Sequence, residues 1–373
     1  MTNIYCIRPK GFNVGNEVIH VGVHHELNQA FGETVNVINL PATSRWEANN
    51  KAGFTPATVH EINQYGDGVV VGGGNLYENG ELDVRPSALE TLEVPMMLFS
   101  LSMGRIYNRR LELVRRTDSM TDDTLRALHK QAAVSMARDA TTERHLKSIG
   151  CDSVLGACPT MFVAEVPQHL VPPATDAADA LISVRTPNLM SVPIDLQMRV
   201  PHDIRGIADR LRELGYERVK LLCHDHRDIP FAASFGDLEY VYTDDVYAFL
   251  SLLKSTRLAV SYRLHSVLPC LSYGTPVIKV SYDERGTNTL ESVGMGDWNI
   301  DMTQEPNLID AVNDRINRLD ELPALRDAAE PRWQEMRRAQ EDCMSRFAER
   351  VREYQARNKG ASRAPALSAT EAT

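Results

Sequence analysis

This 373-residue chain is short of several things, and each shortage rules something out. No run approaches the roughly 18 uncharged apolar residues that a membrane span requires. The first residues, MTNIYCIRPKGFNVGNE, show neither an apolar h-region nor a small-residue cleavage pattern, so a secretion signal is not expected and a cytoplasmic location is. Six cysteines (Cys6, Cys151, Cys158, Cys223, Cys270, Cys343) are scattered with no C-x-x-C pair, which points to reduced thiols rather than a disulfide framework. Basic residues are also outnumbered by acidic ones, 40 to 50. A net charge of −10 argues against a broad nucleic-acid interface, though not against a local basic pocket.

What is present is apolar material, 43% of residues, enough for more than one core. Short β-type runs alternate with helical patterns: a strand at 3–8, a helix at 16–31, then strands at 34–40, 68–71, 95–101 and 133–136 with helices between. Such alternation predicts a parallel α/β sheet. It breaks at 165–178, where Pro167, Pro172 and Pro173 interrupt the periodicity. It restarts at Ala180, with a strand at 258–262 and a later helix at 289–293. The expected architecture is two Rossmann-like domains facing a central cleft, at 1–164 and 179–320, joined by a linker at 165–178. C-terminal helices at 321–358 carry Trp333, Met336, Met344, Phe347, Val351 and Tyr354 at helical spacing. A polar, aperiodic tail is expected over 359–373.

In doubly wound domains ligands bind beyond the carboxyl ends of the strands, so strand ends are searched for chemistry. In "LAVSYRLHSV", Arg263 and His265 stand two apart after an apolar run. If the strand continues through them they share a face, with Leu264 opposite, and Ser266 can cap the next helix. A guanidinium, an imidazole and a helix N-terminus together suit a carboxylate or phosphate plus a proton transfer. Alternatively, Arg263 pairs a structural acid and His265 caps a loop. Arg185, in "ISVRTPN", ends the first strand of the second domain, facing the cleft or only the surface. In "VVVGGGNLY", Gly73, Gly74 and Asn75 read as a strand-end loop; it is a poor dinucleotide fingerprint. In "GFNVGNEVIH", Asn13, Gly15 and Asn16 sit between the first strand and first helix, where Asn16 either caps the helix or touches a ligand. In "LLCHDHRD", Cys223, His224, Asp225 and His226 alternate in direction on a strand, so no metal site is expected; His224 suits a loop touching an acceptor or phosphate. In "SYDERGTN", Asp283 either accepts a proton from a hydroxyl or lies in a solvated loop.

From about Asn13 to Met295 these segments resemble, in order, those of the polysaccharide pyruvyl transferases. The R-L-H segment is the most specific, supported by Arg138-Asp139 with Thr142, then Leu146 and Gly150. Two positions depart: G-N-E stands where many relatives read G-D-E, and Y-D-E-R where they often carry a lysine after the acid. The resemblance implies a GT-B-like fold and transfer of the enolpyruvyl unit of phosphoenolpyruvate onto saccharide hydroxyls, with release of phosphate and commonly closure of a pyruvate ketal. It implies a donor site of Arg185, Arg263 and His265, with Leu264 and Ser266 in the same segment. Asn13, Gly15, Asn16, Gly73, Gly74, Asn75, His224 and Asp283 would then face the acceptor, which is a free, nucleotide-linked or lipid-linked saccharide. No cofactor is implied beyond phosphoenolpyruvate as co-substrate. The rival reading is a nucleotide-sugar glycosyltransferase of the same architecture, against which stands the lack of an E-x₇-E-like pattern in the second domain. A non-catalytic binding protein is the third.

Overall fold

A computed structural model describes residues 1–9, 11–45 and 51–361. Two separate parallel sheets of six strands each form the body. The first half runs β1 (Asn3–Arg8), α1 (Val14–Phe31), β2 (Asn36–Pro41), α2 (Pro56–Tyr65), β3 (Gly68–Gly74), α3 (Pro86–Leu89), β4 (Met96–Leu101), a small hairpin β5 (Ile106–Tyr107) and β6 (Leu113–Val114), α4 (Asp122–Gln131), β7 (Val134–Ala137), α5 (Ala140–Ser148) and β8 (Val154–Leu155). The second runs β9 (Ala180–Ser183), α6 (Ile194–Glu213), β10 (Val219–Cys223), α7 (Ile229–Ala233), β11 (Glu239–Tyr242), α8 (Val246–Ser255), β12 (Leu258–Ser261), α9 (Leu264–Tyr273), β13 (Val277–Ser281), α10 (Glu284–Ser292), β14 (Asn299–Asp301) and α11 (Leu308–Asn317). The long helix α12 (Leu322–Ala361) ends the described chain. This is the two-sheet α/β class expected from the alternation. Positions 362–373, most of the expected polar tail, lie outside the described residues.

Strand order explains where a ligand fits. The first sheet is ordered β2-β1-β3-β4-β7-β8 and the second β11-β10-β9-β12-β13-β14. Strand direction reverses its march across the first sheet at β1/β3 and across the second at β9/β12. At such switch points the connections leave to opposite faces and open a crevice at the carboxyl ends. The strands are apolar because helices cover both faces; β3 and β4 are buried throughout.

Local chemistry moved several boundaries. α1 begins at Val14, and Asn13 rather than Asn16 is its cap, accepting a hydrogen bond from the Gly15 N–H at 3.0 Å. β3 runs through its glycines, which form no loop: Gly73 has φ +74°, and a Cβ there would lie 2.4 Å from Ile19 Cγ2. The glycines let α1 approach β3. α10 begins at Glu284, five residues earlier than expected, because Asp283 caps it through the Gly286 N–H. β12 stops at Ser261, whose Oγ accepts from the Arg263 N–H at 3.0 Å and donates to the Arg263 carbonyl at 2.8 Å. That turn puts Arg263 at the cap position of α9 and His265 in its first turn, so strand alternation is not what aligns them.

α12 straps the halves together. Trp333 donates its indole N–H to the Val293 carbonyl in the second half at 2.6 Å. One turn further on, Arg337 and Gln340 both reach Glu26 of α1 at 2.7 Å. Phe347 and Val351 then pack against Gly68, where a Cβ would stand 2.8 Å from Val351 Cγ2.

Candidate functional site

The two switch points meet across one cavity of about 370 Å³, a volume in the range of small-molecule sites. From the first half come Asn13 and Asn16 after β1, and Asn75, Asn79 and Glu81 after β3. From the second come Arg185 after β9, Arg263, Leu264 and His265 after β12, and Asp283 after β13. The halves are joined at its edge. The Val14 N–H donates to the His224 carbonyl at 2.9 Å. Arg285 reaches Glu78 at 2.8 Å and also pairs with Asp283. Arg105 grips Glu284, and the Tyr107 hydroxyl donates to Asp301 at 2.8 Å.

Charge is concentrated here against the sign of the whole molecule. Arg45, Arg116 and Arg138 line the cavity from the first half; Arg185, Arg227, Arg263, Lys279 and Arg285 line it from the second. Glu81 and Asp283 are the carboxylates in that lining. A chain with net charge −10 thus places eight cations around one concave spot, an arrangement suited to a small polyanion.

Arg185 and Arg263 are held by a shared acid. Asp228 is fully buried; its Oδ1 accepts from the Thr186 N–H and hydroxyl, both at 2.9 Å. Arg185 Nη1 lies 3.5 Å from Asp228 Oδ1, and Arg263 Nη1 lies 3.7 Å from Asp228 Oδ2. These contacts are longer than hydrogen bonds. Arg185 Nη1 and Asp228 Oδ2 are both buried without a hydrogen-bond partner among the described residues. Burial and the neighbouring Arg263 charge lower the Arg185 guanidinium to about 10. The pair is oriented but not neutralised, as a site awaiting an anion would be. Asp225 also lies 3.7 Å from Arg185 Nη1 but is gripped by Arg227; burial pushes its carboxyl up, and Arg227, with Arg185, outweighs burial and holds it low.

His265 sits on Gly15, where an added Cβ would come within 2.9 Å of His265 Cβ. Gly15 therefore makes room for the imidazole rather than lining the cavity. The ring's Nε2 is buried and without a partner among the described residues. Burial first, then the charges of Arg138, Arg263 and Arg285, lower its pKa well below 6.5, so it rests as neutral imidazole.

Other residues singled out from sequence lie elsewhere. Ser266 is not the helix cap. It is buried beneath the cavity in a triangle with Ser183 and His224, with oxygen–oxygen and oxygen–nitrogen distances of 2.6–2.9 Å. His224 is buried in that triangle, edge-on to Phe249, and does not line the cavity. Gly73 and Gly74 serve α1 packing. The Cys223–His226 segment diverges: Cys223 enters the core, Asp225 faces Arg227, and His226 meets Phe12 at the surface. Among the described residues no group of three or more His, Cys, Asp or Glu is placed to hold a metal ion. All six cysteines are free and buried.

Sequence reading missed the rest of the cationic wall. Arg138, beside the α5 cap Asp139, stands out in the sequence only as part of a motif. Lys279 is hidden inside an apolar strand, although a lysine between Ile278 and Val280 is itself a signal, since buried lysines are rare.

A family model described as polysaccharide pyruvyl transferase matches residues 13–284. No curated protein sequence matches the chain. Among solved structures, the chain is similar to MnaA of S. aureus, in a structure with UDP, at 14% identity and a TM-score of 0.55, covering 96% of this chain and 97% of that one. It is similar to the UDP-GlcNAc 2-epimerase of Methanocaldococcus jannaschii, in complex with UDP-GlcNAc and UDP, at 13% identity and a TM-score of 0.52, covering 84% and 92%. The wall teichoic acid polymerase TagF is similar at 11% identity and a TM-score of 0.50, covering 95% and 89%. At these identities the likeness concerns the fold.

Proposed function

The chain belongs to the polysaccharide pyruvyl transferase family, and on that premise we propose that it moves the pyruvyl unit of phosphoenolpyruvate onto saccharide hydroxyls, closing a pyruvate ketal and releasing phosphate. The observation that carries the donor assignment is the Arg185–Arg263 pair at a switch point, with Arg263 buried and Arg185 half-buried, sharing Asp228, and with Arg185 Nη1 left without a hydrogen-bond partner among the described residues. Phosphoenolpyruvate has a carboxylate and a phosphate close together. Guanidinium forks match both groups, and a cavity of this size suits so small an anion beside part of a sugar.

The chemistry needs charge placement and proton movement. A proton delivered to the methylene carbon makes C2 oxocarbenium-like, and one acceptor hydroxyl attacks it. The phosphate then leaves with its bonding pair, and a second hydroxyl closes the ketal. The surrounding guanidiniums stabilise the departing phosphate. Neutral His265 is suited to take a hydroxyl proton, since three nearby cations make the imidazolium costly until the anion arrives. The amides of Asn13, Asn16 and Asn75, on the opposite wall, have the hydrogen-bonding character that sugar hydroxyls require.

The test is incubation of the protein with phosphoenolpyruvate and a panel of free, nucleotide-linked and lipid-linked saccharides, followed by phosphate release and mass spectrometry of the product. A saccharide carrying a ketal-linked pyruvate is the expected result. If phosphoenolpyruvate is left intact while a nucleotide-sugar yields a glycosyl product, the donor assignment is wrong.

A further inference from the structure

Lys279 lies in β13, the strand that pairs with β12 and β14 in the second sheet, and is 3% exposed. Its stem passes beside Gly286 in the first turn of α10, where an added Cβ would stand 3.2 Å from Lys279 Cε. Its amine donates to the Tyr262 carbonyl at 3.2 Å and to the Val280 carbonyl. It forms no ion pair among the described residues. A lysine that merely tied strand ends would be satisfied there, but Lys279 also lines the cavity shared by Arg185, Arg263 and His265. An ammonium has three hydrogens and two are used; a neutral amine uses both of its hydrogens on the carbonyls and keeps a lone pair. Either protonation state therefore fits the same geometry.

We infer that Lys279 is the proton donor of this site, delivering its proton to the methylene carbon of phosphoenolpyruvate. The inference rests on the pyruvyl-transfer reading. The π pair of the donor's double bond takes the ammonium proton, leaving a neutral amine and a cationic C2. Two acceptor hydroxyls then bond in turn to C2 as the C2–O bond to phosphate breaks with its electron pair. The hydroxyls give up two protons: one restores the Lys279 ammonium, and the other is taken by His265 and leaves with phosphate.

The groups facing Lys279 make the cycle accessible near neutrality. Burial is the largest influence and lowers its ammonium; Asp283 at the start of α10 and Asp301 at the end of β14 raise it, while Arg263 and Arg285 lower it, with the balance at about 7. The Tyr282 ring lies 5.7 Å from the amine. An arriving trianion favours the ammonium, so donor binding takes up a proton and arms the group.

Calorimetry of phosphoenolpyruvate binding, repeated at about pH 8 in buffers of different ionisation enthalpy, reads this directly. The wild type takes up protons on binding; Lys279→Arg, which stays charged throughout, and Lys279→Met, which holds no proton, do not. Both variants release phosphate roughly 10²–10⁴-fold more slowly, and the limb of the pH–rate profile near neutrality disappears. Lys279→Arg preserves donor affinity, which separates proton transfer from charge, and circular dichroism of both variants checks folding. Unchanged proton uptake in Lys279→Met, or phosphate release near the wild-type rate, overturns the inference alone. A wild type that neither binds nor consumes phosphoenolpyruvate overturns the pyruvyl-transfer reading and the inference with it.

Discussion

Arg263 and His265 share a cavity wall but differ in what a substitution removes. Arg263→Lys keeps one positive charge and loses the planar fork, so donor affinity falls while turnover at saturation changes less. His265→Gln keeps a hydrogen-bonding tip and loses the proton site, so turnover falls by about 10²–10⁴-fold with donor affinity nearly intact. Calorimetry and phosphate release on the same two variants check the split, and a His265→Gln enzyme at wild-type rate would refute it. Lys279 adds a signature in stability. Its folded pKa lies near 7, below the ordinary 10.5, so between those values the unfolded chain binds more protons than the native one. Stability from this residue is therefore lost as pH falls toward 7 and regained as it rises toward 10.5, with a slope of at most about 1.4 kcal/mol per pH unit. Urea melts of wild type and Lys279→Met between those limits should show the difference between the two curves growing with pH in the wild type's favour. Parallel curves would place the lysine pKa at its ordinary value.

At the level of elements, α12 decides how the halves sit. Glu26 of α1 is almost wholly buried, and burial pushes its carboxyl up to about 7 even though Arg337 and Gln340 of α12 both reach it. Arg337 also pairs with Glu165, just after the first half, so one side chain ties three segments. Arg337→Met removes the partner of a buried carboxylate, and stability should drop by about 3 kcal/mol. The drop should shrink below neutral pH as Glu26 takes a proton, because an uncharged carboxyl does not need the guanidinium. Chemical denaturation at two pH values measures this, and a loss that is the same at both would exclude Glu26 as its origin. Donor affinity should survive, since Arg337 lies outside the cavity.

Across the whole molecule, an acidic chain has collected eight cationic side chains around one cavity, and in the proposed reaction these take the place of a divalent cation. Phosphate release should therefore persist in excess chelator; its complete loss, with recovery on adding one divalent ion, would contradict this. Much of the fold was legible without coordinates, because alternation of apolar runs with 3.6-period patterns has few packed solutions other than parallel sheets under helices. Arg185, Arg263 and His265 were legible as strand-end residues, and Asn13, Asn16, Asn75 and Asp283 as loop residues of the same cleft. Local hydrogen bonds were not legible: Ser261 closes the turn before α9, Asp283 starts α10 early, and the glycines of β3 continue the strand because α1 lies against them. Nor was the fate of Ser266 and His224, which satisfy one another below the cavity instead of entering it. Sequence alone determined the layers and the strand ends, since these follow from periodicity along one chain. Only the tertiary structure decided that Lys279 and Arg138 join the same wall, because strand order and the crossing of two switch points bring together residues that no local pattern connects.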